Sequence, residues 1–293
     1  MKDPFLHQEG VMATNRQPVI VGIDGSPASF GAVRWAADEA VRLRLPLKIV
    51  HALEMHGPFE EDVDEHGLAI DAANEIRHLS PGLHVTTASW YGEPARVLVE
   101  LSRHARLVVV GSRGSGGFSS LLVGSVGIHL AGHAHCPALV VHHAERWSGP
   151  ESSLPYGRPV VVGADGSADG ELALGLAFAE AAARTVPLVA VRTWHEPEHR
   201  WGLSAGRTVL AANTRRELET DLEPWQAKYE SVAVDLRVEH CPSVPVLLDA
   251  ARGALMVVLG ARGRGGFEGM RLGAVSRQVL EHADVPVLVA RQS

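Results

Sequence analysis

A chain of 293 residues is long enough for two ordinary domains, and 46% apolar with 21% charged residues is the composition of a soluble globular protein, not a disordered one. A net charge of −7 and a pI near 6.1 argue against a nucleic-acid partner, which would show a basic patch. No run approaches the roughly 20 apolar residues of a membrane span, and Met1 to Glu9 lack the apolar core of a signal peptide, so the cytoplasm is the expected location.

Residues 1 to 16 read as a polar, irregular tail. Pro18 to Asp24 is an apolar strand ending in the turn Asp24-Gly25-Ser26, and residues 28 to 43 carry Ala32, Val33, Trp35, Ala36, Ala40 and Leu43 at helical spacing. Pro46 to Ala52 is a second strand, and the acidic stretch Glu54 to His66 reads as a solvated loop. A helix over 67–79, a strand over 84–90, a helix after Pro94, a strand over 107–110, a helix over 124–132 and a strand over 138–142 complete the unit. Strands alternating with helices predict a parallel α/β sheet.

Residues 144 to 157 have linker composition, and the pattern then restarts with Pro159 to Asp165 and the turn Asp165-Gly166-Ser167. The offset is 141 residues from Asp24 to Asp165 and 149 from Gly111 to Gly260, so the second copy carries an eight-residue insertion between its second and fourth strands. The helical stretch 207–230 accounts for it. Its apolar positions, Val209, Leu210, Leu218, Leu222 and Trp225, read as core or interface, not as a binding site. The two cysteines, Cys136 and Cys241, do not make a disulfide scaffold. His133-Ala134-His135-Cys136 lacks a companion cluster at ligand spacing and reads as a helix end meeting a strand, so no metal site is expected there.

Two stretches carry chemistry. Leu107-Val-Val-Val-Gly111 runs into a glycine-rich loop and resumes at Gly124-Ser125-Val126, and Met256-Val-Val-Leu-Gly260 does the same up to Gly273-Ala274-Val275-Ser276. Glycines let backbone N–H groups converge on one point, and a helix start just beyond adds unpaired donors and the positive end of a dipole. Together these favour an anion, usually phosphate. The bland alternative is a tight strand-to-helix turn, and two copies with the same internal spacing favour a functional loop. Neither loop is a Walker-type P-loop, and neither completes Gly-x-Gly-x-x-Gly. A Gly-x-Ser-x-Gly nucleophile elbow is also missing, so no catalytic residue is assigned.

What the first loop does carry is Gly-x2-Gly-x9-Gly-Ser, at Gly111, Gly114, Gly124 and Ser125. This resembles the nucleotide-binding motif of the universal stress protein family, and the whole chain looks like a tandem member similar to the actinobacterial ones, with domains at 17–145 and 157–292. The resemblance implies two open, parallel, Rossmann-like five-stranded sheets of order 3-2-1-4-5 with helices on both faces, packed as an internal pseudo-dimer through their last strands. It implies ATP with Mg2+ as the ligand, held by the loops around Gly111, Arg113, Gly114, Gly124, Ser125 and Val126, and around Gly260, Arg262, Gly263, Gly273, Ala274, Val275 and Ser276. Asp24 and Asp165 would approach the adenosine or a metal, Ala52 and Thr193 the adenine, and the backbone of Gly22, Ile23, Gly163 and Ala164 would line the pocket.

Several alternatives stand beside this. The Asp-Gly-Ser turns read equally as N-cap chemistry, and Arg113 and Arg262 could face phosphate, an interface or solvent. The second motif has Ala274 where the first has Ser125, which predicts two sites with the second weaker. The expected role is an ATP-dependent sensor or regulator in stress response, with slow hydrolysis at most. The alternatives are a nucleotide-hydrolysing α/β enzyme, a cyclic-AMP binder and a nucleotide-free scaffold. A further homodimer of whole chains stays open.

Overall fold

A computed structural model describes residues 17–53, 65–114, 123–143, 157–194, 204–265 and 269–291. The tail at 1–16, most of the acidic stretch (54–64) and the linker at 144–156 lie outside the described residues. The first half runs β1 (Val19–Ile23), α1 (Pro27–Leu43), β2 (Leu47–Leu53), α2 (Glu65–Leu79), β3 (Val85–Tyr91), α3 (Pro94–Leu101), β4 (Leu107–Gly111), α4 (Ser125–His133) and β5 (Ala138–Val141). The second repeats it as β6 (Val160–Gly163), α5 (Ala168–Arg184), β7 (Leu188–Thr193), α6 (Ser204–Lys228), β8 (Val234–Glu239), α7 (Ser243–Ala251), β9 (Met256–Gly260), α8 (Ala274–His282) and β10 (Val287–Ala290). The insertion lies in this region: α6 has 25 residues and α2 has 15.

The ten strands of the described residues form one sheet in the order β3-β2-β1-β4-β5-β10-β9-β6-β7-β8. Within each half the strands are parallel, and the halves join where β5 and β10 pair antiparallel, with Leu139 opposite Leu288. That pairing answers a physical need, because each of these short strands is wholly buried and apolar, and an open edge of that kind invites association. The expected pseudo-dimer is therefore realised inside one chain.

The sheet is buried on both faces, which is why its strands read as continuous apolar runs. Val19 and Val21 face one core with Trp35, Ile49, Phe178, Leu218 and Leu222, beneath α1, α2, α5 and α6. Ile20 faces the other with Val108, Leu130, Val257 and Leu280, beneath α3, α4, α7 and α8. Leu218 and Leu222 are fully buried, whereas Val209 on the same helix is exposed. Among the described residues no helix is long and apolar enough to cross a membrane.

Helices α1 and α5 begin alike. Ser26 Oγ accepts a hydrogen bond from Ser29 N at 3.2 Å, Pro27 occupies the first turn, and Ser167 Oγ accepts from Gly170 N at 3.1 Å. These are N-caps in the ordinary sense. Helices α4 and α8 begin differently: Gly124 and Gly273 stand at their N-caps with no side-chain hydrogen bond.

Candidate functional site

In each half the chain leaves β1 (or β6) in one direction across the sheet and reaches β4 (or β9) on the other side. The carboxyl ends of these two neighbours form the crevice where open parallel sheets receive ligands. In the second half this crevice is a cavity of about 650 Å³. Its lining brings together Gly163, Ala164 and Asp165 from β6, Thr193 from β7, Gly260 and Gly263 from β9 and its loop, and Gly273, Ala274, Val275 and Ser276 from the start of α8.

Arg262 is the second-half candidate that is not among these residues. Its backbone N and its Nε contact Asp169 Oδ2 at 3.1 and 3.2 Å, and Asp169 is buried. The guanidinium thus ties the loop to α5, and Arg264, two residues on, lines the cavity instead. In the first half Gly22, Ile23 and Asp24 end β1, Ala52 lies near the end of β2, Gly111, Arg113 and Gly114 follow β4, and Gly124, Ser125 and Val126 open α4. The middle of that loop, 115–122, and residues 266–268 of the second lie outside the described residues.

The glycines act by close approach. A Cβ on Gly111 would stand 2.7 Å from the backbone of Ala28, and one on Gly260 would stand 2.7 Å from that of Asp169. A Cβ on Gly114 or Gly263 would stand 2.5 or 2.6 Å from Asp24 Oδ2 or Asp165 Oδ2. Each loop therefore closes directly onto the first helix of its half and onto the acid that ends the first strand.

Both acids spend oxygens on that closure. Asp24 Oδ1 accepts from Ser26 N at 3.0 Å and from Ser26 Oγ at 2.7 Å. Asp165 Oδ1 accepts from Ser167 N and Oγ at 3.0 and 2.6 Å, and its Oδ2 from Arg264 N in the glycine loop at 2.9 Å. Ser26 Oγ and Ser167 Oγ also lie 3.3 and 3.2 Å from the carbonyls of Arg113 and Arg262. The turn and cap chemistry of Asp-Gly-Ser is thus present, and it latches each turn to its loop. Gly124 N and Gly273 N donate to the carbonyls of Ser112 and Ala261 at 2.7 Å each, bracing the third glycine of the motif. Ser276 Oγ donates to the Gly260 carbonyl at 2.6 Å, so its hydroxyl closes the strand end.

What the helix starts of the motif turn to the crevice is backbone. The next N–H groups of α4 and α8 carry no side-chain cap, and unpaired helix N–H donors suit an anion. The histidine-rich end of α4 is used otherwise. His133 Nδ1 contacts the His129 carbonyl at 3.0 Å, the two rings stack 4.1 Å apart, and burial pushes the Cys136 thiol up to about 12. Among the described residues no group of three or more His, Cys, Asp or Glu could hold a metal ion.

Comparison with known proteins gives this arrangement a family. The model of the universal stress protein family matches residues 15–142 and 157–291, that is, both halves. The chain belongs to the universal stress protein family. It is 37% identical over 297 residues to universal stress protein Rv2623 of Mycobacterium tuberculosis, covering 94% of this chain and 96% of that one. A crystal structure of a universal stress protein from Archaeoglobus fulgidus matches with a TM-score of 0.64 at 17% identity, covering 95% and 98% of the two chains. A universal stress protein from Archaeoglobus fulgidus solved in complex with dAMP matches 43% of this chain at 24% identity, with a TM-score of 0.36 and 98% of that chain covered.

This universal stress protein has cavity residues that the motif does not mark. Arg192 and Trp194 flank Thr193 at the end of β7, Thr214 and Glu217 reach in from α6, and Ser243 from α7, where its Oγ lies 2.6 Å from Thr193 Oγ1. The signal for Arg192 and Trp194 was the repeat itself, since they align with His51 and Leu53 at the 141-residue offset. For Thr214 and Glu217 there was none, because the insertion removes any first-half counterpart.

Proposed function

We infer that this universal stress protein is an adenine-nucleotide receptor with one site per half, taking ATP with Mg2+ and acting as a sensor or regulator through its ligand state. The observation that carries the reading is the pair of uncapped helix starts, α4 and α8, behind glycine loops at the carboxyl edge of the sheet. Both deliver free N–H donors and a positive dipole end to one crevice, and in the second half the crevice has the volume of a small-ligand site. When bound, the nucleotide supplies the phosphate charge that those donors lack. Binding is favoured over turnover because Asp24 and Asp165 hold the turns of their own loops and so are committed to shape. The same dispositions in two halves make two sites, and Ala274 in place of Ser125 makes the second the weaker for ATP.

Thermal unfolding tests the reading. ATP with Mg2+ at about a hundred times the tighter site's dissociation constant should stabilise the chain by about 2.7 kcal/mol through that site alone, and an unmoved melting temperature would sink it. A sharper check is Ala274→Ser. Restoring one hydroxyl donor to a phosphate oxygen is worth about 0.5–1.5 kcal/mol, so the weaker site should tighten by up to about tenfold while the tighter one is unchanged.

A further inference from the structure

We propose that the outer edge of β3 is the surface through which two copies of this chain associate, the strands pairing antiparallel about a twofold axis at Ala88.

β3 and β8 are the two ends of the sheet, and they are built differently. β8 carries Asp235, Arg237 and Glu239 at alternate positions, and Arg237 pairs with both Glu239 and Asp249. Charges of this kind guard an open edge. β3 reads Val85-Thr-Thr-Ala-Ser-Trp-Tyr91, longer than β8 and without a charge. Tyr91 at its end is 67% exposed.

Pairing with β2 decides which backbone groups β3 leaves open. Leu47 N donates to the His84 carbonyl and Gly92 N to the Leu53 carbonyl, so the even-numbered positions face β2. Val85, Thr87, Ser89 and Tyr91 therefore turn their N–H and C=O groups outward. Arg77 Nη2 covers one of these, the Val85 carbonyl, at 3.0 Å.

A twofold axis at Ala88 sets Thr87 opposite the partner's Ser89 and Val85 opposite the partner's Tyr91. In each pair both residues have outward backbone groups, and this register uses the whole strand. Ala88 meets its own copy, and Thr86 meets the partner's Trp90. Hydroxyl on hydroxyl and aromatic on β-branched residue are favourable cross-strand pairs, and no like charges meet. Pairing β3 with β8 of a second chain would instead set uncharged residues against Asp235, Arg237 and Glu239, in a head-to-tail contact that need not close.

The helix beside this edge fits the same partner. Ile70 lies two turns from Arg77 on one flank of α2, and the reach of Arg77 to Val85 marks that flank as the outer one. Seven helical residues rise about 10 Å, as do three strand residues. Ile70, 50% exposed, thus stands about level with Ala88 and faces its own copy across the axis. The β5–β10 seam already joins the halves in this way, with antiparallel strands and α1 meeting α5 alongside.

The test is sedimentation of the full chain across a concentration series. The mass should rise from one 31.3 kDa chain to two and stop there. Ser89→Pro removes an outward N–H and leaves the β2 ladder intact. It should weaken the dimer about tenfold or more, with an unchanged far-ultraviolet spectrum as the check on folding. A covalent probe reads the register. Residues facing each other in a non-hydrogen-bonded antiparallel pair have Cα atoms about 4.5 Å apart, within disulfide reach. In a Cys241→Ser background, Ala88→Cys should oxidise to a linked pair of chains. Ser89→Cys, whose copies stand two positions out of register, should not. A chain that keeps one mass at every concentration overturns the proposal. So does a dimer whose Ala88→Cys form fails to cross-link, and so does growth past two chains, which marks a head-to-tail contact.

Discussion

Replacing Glu39 with alanine is expected to lower the melting temperature by roughly 10 °C. Glu39 on α1 and Glu180 on α5 are repeat equivalents that meet on one face of the sheet beside the β5–β10 seam. Both are buried, and each is held by arginines of both helices. Arg42 contacts Glu39 and, at 2.6 Å, Glu180, while Arg184 contacts Glu39 at 2.8 Å and Glu180 at 3.2 Å. The arginines are not repeat equivalents, since Ala183 and Leu43 occupy the matching positions, so a symmetric pair of acids is neutralised by an asymmetric pair of bases. Burial, and then Glu39, raise the Glu180 pKa, against the pull of Arg42 and Arg184. Arg184 also lies 5.4 Å over the ring of Trp35. Removing one acid leaves an uncompensated buried guanidinium, a loss of about 3–5 kcal/mol, and in a chain of this size each kcal/mol moves the midpoint by roughly 2–4 °C.

The control separates charge from packing. A variant with all four residues made apolar (Glu39→Leu, Arg42→Met, Glu180→Leu, Arg184→Met) should be about as stable as the parent, or more so, because it removes the desolvation cost along with the attraction. Equal losses from the single and the fourfold variant would show that packing, not charge, carries the effect.

Acidification should weaken the seam by a related route. His142, directly after β5, is 3% exposed, and its Nε2 lies 2.8 Å from the Leu280 carbonyl on α8, across the junction of the halves. Burial holds its pKa down to about 4 from an ordinary 6.5, with the neighbouring His143 pushing the same way and Asp284 opposing. The folded state therefore keeps the ring neutral while the unfolded state takes up a proton below pH 6.5. Stability is complete above that pH, falls as the pH drops, and levels off near pH 4. At about 1.36 kcal/mol per unit, the loss between pH 6.5 and 5 is about 2 kcal/mol, ahead of most carboxylate titration. His142→Gln keeps a donor for the Leu280 carbonyl and removes the titration. Denaturant unfolding at the two pH values should show the loss in the parent and little of it in the variant. A parallel loss in both would assign it to other groups.

The architecture was legible because it rests on features that a sequence displays directly. Strands buried on both faces read as unbroken apolar runs, as at 107–110 and 256–259, and the two offsets gave the repeat and its insertion. The candidate site was legible as a set of glycines, because the approach of Gly111 to Ala28 and of Gly260 to Asp169 tolerates no side chain. Polar commitments were not legible. Arg113 and Arg262 look alike in sequence, yet the use of Arg262 depends on Asp169, 93 residues away. The ion cluster needs α1 and α5 to meet across two halves, and Arg192 is held by Asp221 and Ala164 on different elements. Such pairings follow from tertiary contact, which local periodicity does not encode.

The measurement that bears most directly on the account is calorimetric titration of the nucleotide-stripped chain with ATP in the presence of Mg2+. Two binding events per chain, one about tenfold weaker than the other, are predicted from the intact Ser125 and the substituted Ala274. A single event per chain at saturation would contradict the two-site arrangement. No heat and no binding at all would mean that both glycine loops are structural turns and that the nucleotide-receptor reading is wrong.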